Sequence, residues 1–407
     1  MNNLISHIKD ARFLFYNSAF EKIAYFILFL FFARIFSAAQ YGEFITINNL
    51  GNILISICSL GIGIQLQSKI AKNISSSREI FSNYFILTLI ILISDFAAGM
   101  ILYYGFYSHL SPALFVVIIL WSGISAGGSN LSFAYYGINR YNTPFYINFS
   151  VKLITFTVAV IAGFTFHNFI FCIFILLAGV IIYFILTLRY FPYSIELSSV
   201  NKKYLKNILL SGLPLGIATV FNFLYDKIDI IVLSFYTDFT LIAFYGIAYG
   251  LYKSSSLSFS FIIQKTLTSF SEISEDKNKL ELSLLKYANL IALICIVVSI
   301  LLYLFSGLIV HIIYSDVYIQ AAGILKILAF GILPMGLNNL TGTFINSLGF
   351  YKVNMVITII AFILNVTLNI FLIPIYSVKA AALISVFTEI LILILELIFI
   401  VRFFAKK

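Results

Sequence analysis

SLLKYANLIALICIVVSILLYLFS, residues 283–306, holds a single charge, Lys286, in twenty-four positions. About 20 apolar residues in a helix cross the hydrocarbon core of a bilayer. Within lipid, a helix also satisfies its own backbone donors and acceptors. Eleven more runs of this kind lie at 15–36, 44–65, 81–104, 112–136, 145–165, 168–189, 208–235, 239–264, 321–345, 355–374 and 378–401. The sequence therefore predicts an all-α integral membrane protein with twelve transmembrane helices. Composition agrees: of 407 residues, 61% are hydrophobic and 10% charged, against roughly 25% charged in soluble domains.

The net charge of +9 does not point to nucleic acid, because the basic residues sit in short segments between spans rather than in one patch. They set the topology instead. With the N-terminus inside, the cytoplasmic segments hold Lys9, Arg12, Lys69, Lys72, Arg78, Arg140, Arg189, Lys202, Lys203, Lys206, Lys265, Lys277, Lys279, Lys352, Arg402, Lys406 and Lys407, and the opposite segments hold Lys379. Seventeen against one places both ends in the cytoplasm and requires an even number of spans. The external loops leave no room for a soluble active site.

The chain reads as two similar halves. Tyr41-Gly42 after the first span returns as Tyr245-Gly246 after the seventh, at an offset of 204. Asn139-Arg140-Tyr141 returns as Gly349-Phe350-Tyr351, at an offset of 210. Six spans per half is an even number, so both halves enter from the same side as parallel repeats. We expect a lobe at 1–189, a cytoplasmic linker at 190–207 and a second lobe at 208–407, the two six-helix lobes being pseudo-symmetric. A pair of such lobes is an architecture of transporters.

Charged groups inside spans are costly and are functional hypotheses by default. Span 7 carries Asn222, Asp226 and Asp229 on one helix face, with Lys227 beside them. The 204 offset matches that region to Glu21, Lys22 and Tyr25 in span 1. Span 8 carries Tyr245, Tyr249, Lys253, Ser256, Ser260 and Gln264 at helical spacing, and span 2 carries Asn48, Asn49, Asn52, Ser56 and Ser59. Spans 4 and 10 add Ser122, Ser125, Ser129 and Ser132, and Asn338, Asn339, Thr341 and Asn346. Lys22, Lys152, Lys227, Lys253 and Lys326 are the cations that topology does not explain. Asp95, Glu389 and Glu396 are further intramembrane acids, and Glu21, Asp226, Asp229 and Glu389 are the ion-coupling candidates. Each has a plainer reading. Serine and threonine in spans mostly bond to their own helix or a neighbour. Lys22 and Lys152 can snorkel to the interface. Lys227 can neutralise Asp226 or Asp229. Lys253 sits deeper, with no acid within a turn of its own helix. Cys58, Cys172 and Cys295 lie in apolar runs and suggest neither disulfide nor metal. Asn-x-Ser at 73, 130 and 148 matches the glycosylation pattern by chance. No phosphate loop, zinc motif or nucleophile elbow is present, so neither a cofactor nor an enzyme is expected.

Several segments together carry a resemblance. Ala33-Arg34-Ile35-Phe36 with Gln40-Tyr41-Gly42-Glu43-Phe44, Gly61-Ile62-Gly63 before Lys69, Gly212-Leu213-Pro214-Leu215, Asp229-Ile230-Ile231-Val232-Leu233 and Tyr245-Gly246-Ile247-Ala248-Tyr249 stand in the order of the polysaccharide transporters. The whole chain resembles the O-antigen flippases within the multidrug/oligosaccharidyl-lipid/polysaccharide exporter superfamily. That resemblance implies flipping of undecaprenyl-diphosphate-linked oligosaccharide in the bacterial inner membrane, amid membrane lipid and alongside a polysaccharide polymerase and a chain-length regulator. Lys22, Lys152, Lys227 and Lys253 would then attract the diphosphate, and Tyr249 and Asn52 would meet sugar. The alternatives are a cation-coupled multidrug exporter and a membrane glycosyltransferase such as an O-antigen polymerase. The cationic spans disfavour the first. The absence of a large basic periplasmic loop disfavours the second. Duplicated polar faces disfavour a purely structural scaffold.

Overall fold

The computed structural model describes the backbone of residues 2–59, 62–196, 198, 200–273 and 275–405, and their side chains apart from 2–11, 15, 58, 59, 211–219, 222 and 268. Cys58, Ser59, Gly61, Asn222 and the Gly212-Pro214 motif accordingly fall outside the described side chains.

The protein is all-helical. In the first half run α1 (Asn2–Ile35), α2 (Ala38–Ser59), α3 (Ile62–Lys72), α4 (Ser77–Leu102), α5 (Pro112–Gly137), α6 (Asn142–Phe166) and α7 (Phe169–Arg189). In the second run α8 (Lys202–Tyr236), α9 (Phe239–Ser254), α10 (Leu257–Glu272), α11 (Lys277–Ile313), α12 (Ala321–Ala329), α13 (Ile332–Ser347) and α14 (Tyr351–Ala405). Every expected span falls on one of these helices or on a broken pair. Among the described residues six helices are long and apolar enough to cross a membrane unaided, and two bent pairs, α2 with α3 and α12 with α13, raise that to eight. Helices α9 and α10, at 16 residues each, are too short to cross separately, and parts of α1 and α8 lie outside the described residues. Helix α14 holds the last two expected spans, separated at Ser377 (φ 54°, ψ −139°).

Helix starts follow from their caps. Ser111 accepts from the Leu114 N–H, with Pro112 in the first turn, and Asn168 accepts from the Phe171 N–H at 3.0 Å. Asp276 accepts from the Lys279 N–H at 3.1 Å, and that bond holds its carboxyl below the usual range.

Helix ends explain the repeat. Asn139 (φ 58°) and Gly349 (φ 82°) both take positive φ, the backbone state that Gly and Asn tolerate best. After Asn139 the Arg140 N–H bonds the Tyr135 carbonyl at 2.9 Å, and after Gly349 the Phe350 N–H bonds the Ile345 carbonyl at 3.1 Å. The same left-handed cap thus closes α5 and α13. His167 (φ 48°) and Ser377 (φ 54°) are a second positive-φ pair, again 210 residues apart. The echo between the halves is a backbone echo.

Contacts group the chain into Met1–Lys227 and Ile228–Lys407. Residues of the 190–207 stretch pack within the first unit. Phe191 and Ile208 belong to a core with Leu66 and Ile70 of α3, Phe81 and Tyr84 of α4 and Tyr135 of α5. Backbone N–H groups of Glu196 and Asn201 donate to Ser82 Oγ and Asn83 Oδ1, each at 2.9 Å. The Lys69 ammonium stands 4.7 Å from the Tyr204 ring centre.

Candidate functional site

In the first unit a polar cavity of about 470 Å³ opens among α1, α2, α5, α6 and α8. This is the size of a small-molecule site. Helical spacing builds its walls: Asn48, Asn52 and Ser56 from α2, Ser122, Ser125 and Ser129 from α5, Glu21 and Tyr25 from α1, and Lys152 from α6. Asn52 donates to the Asn48 carbonyl at 2.9 Å, and Ser56 to the Asn52 carbonyl at 2.7 Å. Their donors are thus held within the helix, as the plainer reading expects, while their oxygens remain on the cavity wall.

Lys152 is the cation in its wall. It is buried and forms an ion pair with Glu21. Its ammonium also lies 4.9 Å from the Tyr25 ring centre, within cation–π range. Asn148 donates to Glu21 Oε1 at 3.0 Å and to Asn17 Oδ1 at 2.7 Å. Asn17 with Glu21, and Asn148 with Lys152, each stand one helical turn apart, so two matched i, i+4 pairs meet across the α1–α6 seam. The spacing was visible in the sequence, but a glycosylation-like triplet was all that Asn148 suggested. Asn130, in a similar triplet, lines the cavity too, as does Trp121, which the sequence reading passed over.

The remaining expected site residues are elsewhere. Lys22 is exposed on α1 and is not part of the cavity wall. One position separates it from Glu21, about 100° around a helix, so the two cannot face the same space. Lys227 pairs with Asp226 at 3.0 Å. Lys253 does have an acid nearby, on another helix: Glu389 Oε1 of α14 is 3.9 Å from its ammonium. The rings of Tyr249 and Tyr252 lie 5.4 and 5.8 Å from it. Tyr249 is buried and stacked on Tyr245 at 5.7 Å. Span 8 breaks just beyond, where Ser255 and Ser256 turn their hydroxyls to the carbonyls of Tyr252 and Lys253 at 2.6 and 2.7 Å.

The second unit encloses its acids. Asp229 is buried and accepts from Tyr245 Oη at 2.6 Å, Asn369 Nδ2 at 2.7 Å and Ser385 Oγ at 2.8 Å. Asn369 also donates to Asn365 Oδ1 at 2.8 Å. Glu389 accepts from Asn338 Nδ2 at 2.7 Å, and Glu396 accepts from Thr341. A buried carboxylate beside hydroxyl oxygens is a group that can take up a proton or a small cation. Among the described residues no three of His, Cys, Asp and Glu group as a metal site. Asp95, on α4, is buried with Oδ1 lacking a hydrogen-bond partner.

The polysaccharide biosynthesis protein family model matches residues 31–323. The chain belongs to that family. No curated protein matches it in sequence. Solved structures match it in fold. A lipid II flippase, MurJ, in an inward closed conformation superposes with a TM-score of 0.76 at 15% identity, covering 98% of this chain and 89% of that one. An inward-facing multidrug resistance MATE family transporter of the MOP superfamily superposes with a TM-score of 0.73 at 14% identity, covering 94% of each. This family member is thus a multi-pass membrane protein that shares the helical fold of those two structures.

Proposed function

We propose that this protein is a flippase. It moves undecaprenyl-diphosphate-linked oligosaccharide repeat units, such as those of O antigen, from the cytoplasmic to the periplasmic leaflet of a bacterial inner membrane. It does so by alternating access and without catalysing a covalent step. A polysaccharide polymerase and a chain-length regulator would act on the exported units. The observation that carries this reading is the polar cavity with a buried ammonium, Lys152, in its wall. A sugar diphosphate is refused by hydrocarbon, and this cavity offers it one cation and a field of amide and hydroxyl oxygens. The polysaccharide family match favours this cargo over a cationic drug, and the membrane potential favours outward movement of anions by about 2.3 kcal/mol per charge per 100 mV. Asp229, whose carboxylate lies beside the hydroxyls of Tyr245 and Ser385, is the candidate site for a coupling proton or sodium ion.

The test is genetic. In a strain lacking the chromosomal copy, Lys152→Gln should lower surface polysaccharide at least tenfold at normal protein level, with lipid-linked repeat units accumulating in the inner leaflet. Lys152→Arg should retain part of the activity. Full polysaccharide in the Gln strain overturns the proposal.

A further inference from the structure

Lys152 borders a second space. An apolar groove of about 330 Å³ follows the seam between α1 and α6 and ends at the same ammonium-bearing residue. Its α1 wall includes Ile23, Ala24 and Ile27, and its α6 wall includes Leu153, Thr157 and Ile161. Thr157 turns its hydroxyl to the Leu153 carbonyl at 2.7 Å and so presents a methyl group. Ile23 and Ile161 are 59% and 56% exposed. On a membrane span such isoleucines face acyl chains, so the groove is open to hydrocarbon. Lys152 and its partner Glu21 therefore stand where a lipid-accessible apolar channel meets a polar, sugar-sized chamber.

One kind of molecule fits both spaces at once: an amphiphile with an anionic junction between a long hydrocarbon and a hydroxyl-rich head. We propose that the α1–α6 groove holds the first units of the polyprenyl tail of the lipid-linked substrate while its diphosphate takes over Lys152 from Glu21. This rests on the cavity being the headgroup site. The exchange is asymmetric. The Lys152 side chain is 11% exposed and fixed, whereas Glu21 is 38% exposed and can turn into the water of the cavity. An ammonium has three donors, so it can gain a phosphate oxygen before losing the carboxylate. Asn148, already bonded to Glu21, is free to keep that oxygen satisfied during the change. Bulk phospholipid has a tail for the groove but no sugars for the oxygens of Asn48, Asn52, Ser125 and Ser129, and the polyprenyl substrate has both.

The chain's one tryptophan, Trp121, lies in the cavity wall, so its fluorescence reports occupancy. The full-length protein in phosphatidylcholine nanodiscs is titrated with undecaprenyl diphosphate and, separately, with inorganic diphosphate. Ala24→Phe and Thr157→Phe, which fill the groove, should weaken undecaprenyl diphosphate at least tenfold and leave inorganic diphosphate within twofold. Lys152→Gln should weaken both. Groove variants that bind undecaprenyl diphosphate like wild type overturn the tail site and leave the cavity reading standing. Failure of both diphosphates to alter the wild-type signal removes the cavity reading itself. Competition by phosphatidylglycerol at equal mole fraction makes the groove a general lipid site and also overturns the proposal. Should Ala24→Phe fail to fold, Thr157→Phe and Thr157→Leu on the exposed lip decide the matter.

Discussion

The first span packs against the fifth, the seventh hydrogen-bonds to the last two, and the two seams are chemically opposite. In the first unit α1 and α6 bring a carboxylate and an ammonium together at the edge of a polar cavity of about 470 Å³. In the second, α8 and α14 bring a carboxylate, Asp229, under an amide and a hydroxyl, with Tyr245 closing over it. The open seam leaves charge available to a ligand. The closed seam spends its polar groups on one another.

The comparison is most easily broken at Asp229. Replacing it with Ala takes a partner from the Asn369 amide, while Tyr245 and Ser385 keep each other at 3.2 Å and Ser385 keeps the Ala381 carbonyl at 2.9 Å. A lost buried partner costs about 1–3 kcal/mol. Asp229→Ala should lower unfolding stability in detergent by about 2–3 kcal/mol. The double change Glu21→Gln with Lys152→Gln should stay within about 1 kcal/mol of wild type, since removing both members of a pair strands neither. Equal losses at the two seams would erase the distinction.

Lys253 and Glu389 sharpen it. A long contact of 3.9 Å with Lys253 about one-third exposed should be worth about 1 kcal/mol in a double-mutant cycle of Lys253→Met and Glu389→Gln. Zero coupling, together with lost surface polysaccharide in Lys253→Met at unchanged stability, would instead make Lys253 a second open cation and the halves more alike.

The smallest effect tests the shared frame. Gly349→Ala forces a Cβ into positive φ and should cost about 1 kcal/mol. Asn139→Gly, at the matching turn of the other half, should be neutral or stabilising by a few tenths of a kcal/mol. Thermal unfolding of both variants measures this, and a costly Asn139→Gly would mean that the two turns are not equivalent.

The spans, their order and the repeat were legible because they depend on local runs of apolar residues and on short motifs. Partnerships were not. Glu21 finds Lys152 from 131 positions away, and Asn369 finds Asp229 from 140. No periodicity within one helix reports which neighbour its polar stripe meets. Lys253 looked unpaired for that reason, because its acid lies on α14. Asp229 and Tyr245 were each singled out by resemblance, and only the fold shows that they bond to each other. The aromatic Trp121 carried no signal at all, since in a chain that is 17% aromatic one more ring in a span is unremarked.

The positive-φ residues Asn139, His167, Gly349 and Ser377 have a consequence for ancestry. Side chains in the two halves have diverged until an asparagine answers a glycine and a histidine answers a serine, yet the sign of one dihedral has been kept at both places. Handedness drifts more slowly than identity, because reversing it would redirect every residue downstream. The two halves of this chain can therefore be placed in register by where the backbone turns left, at positions where the letters differ.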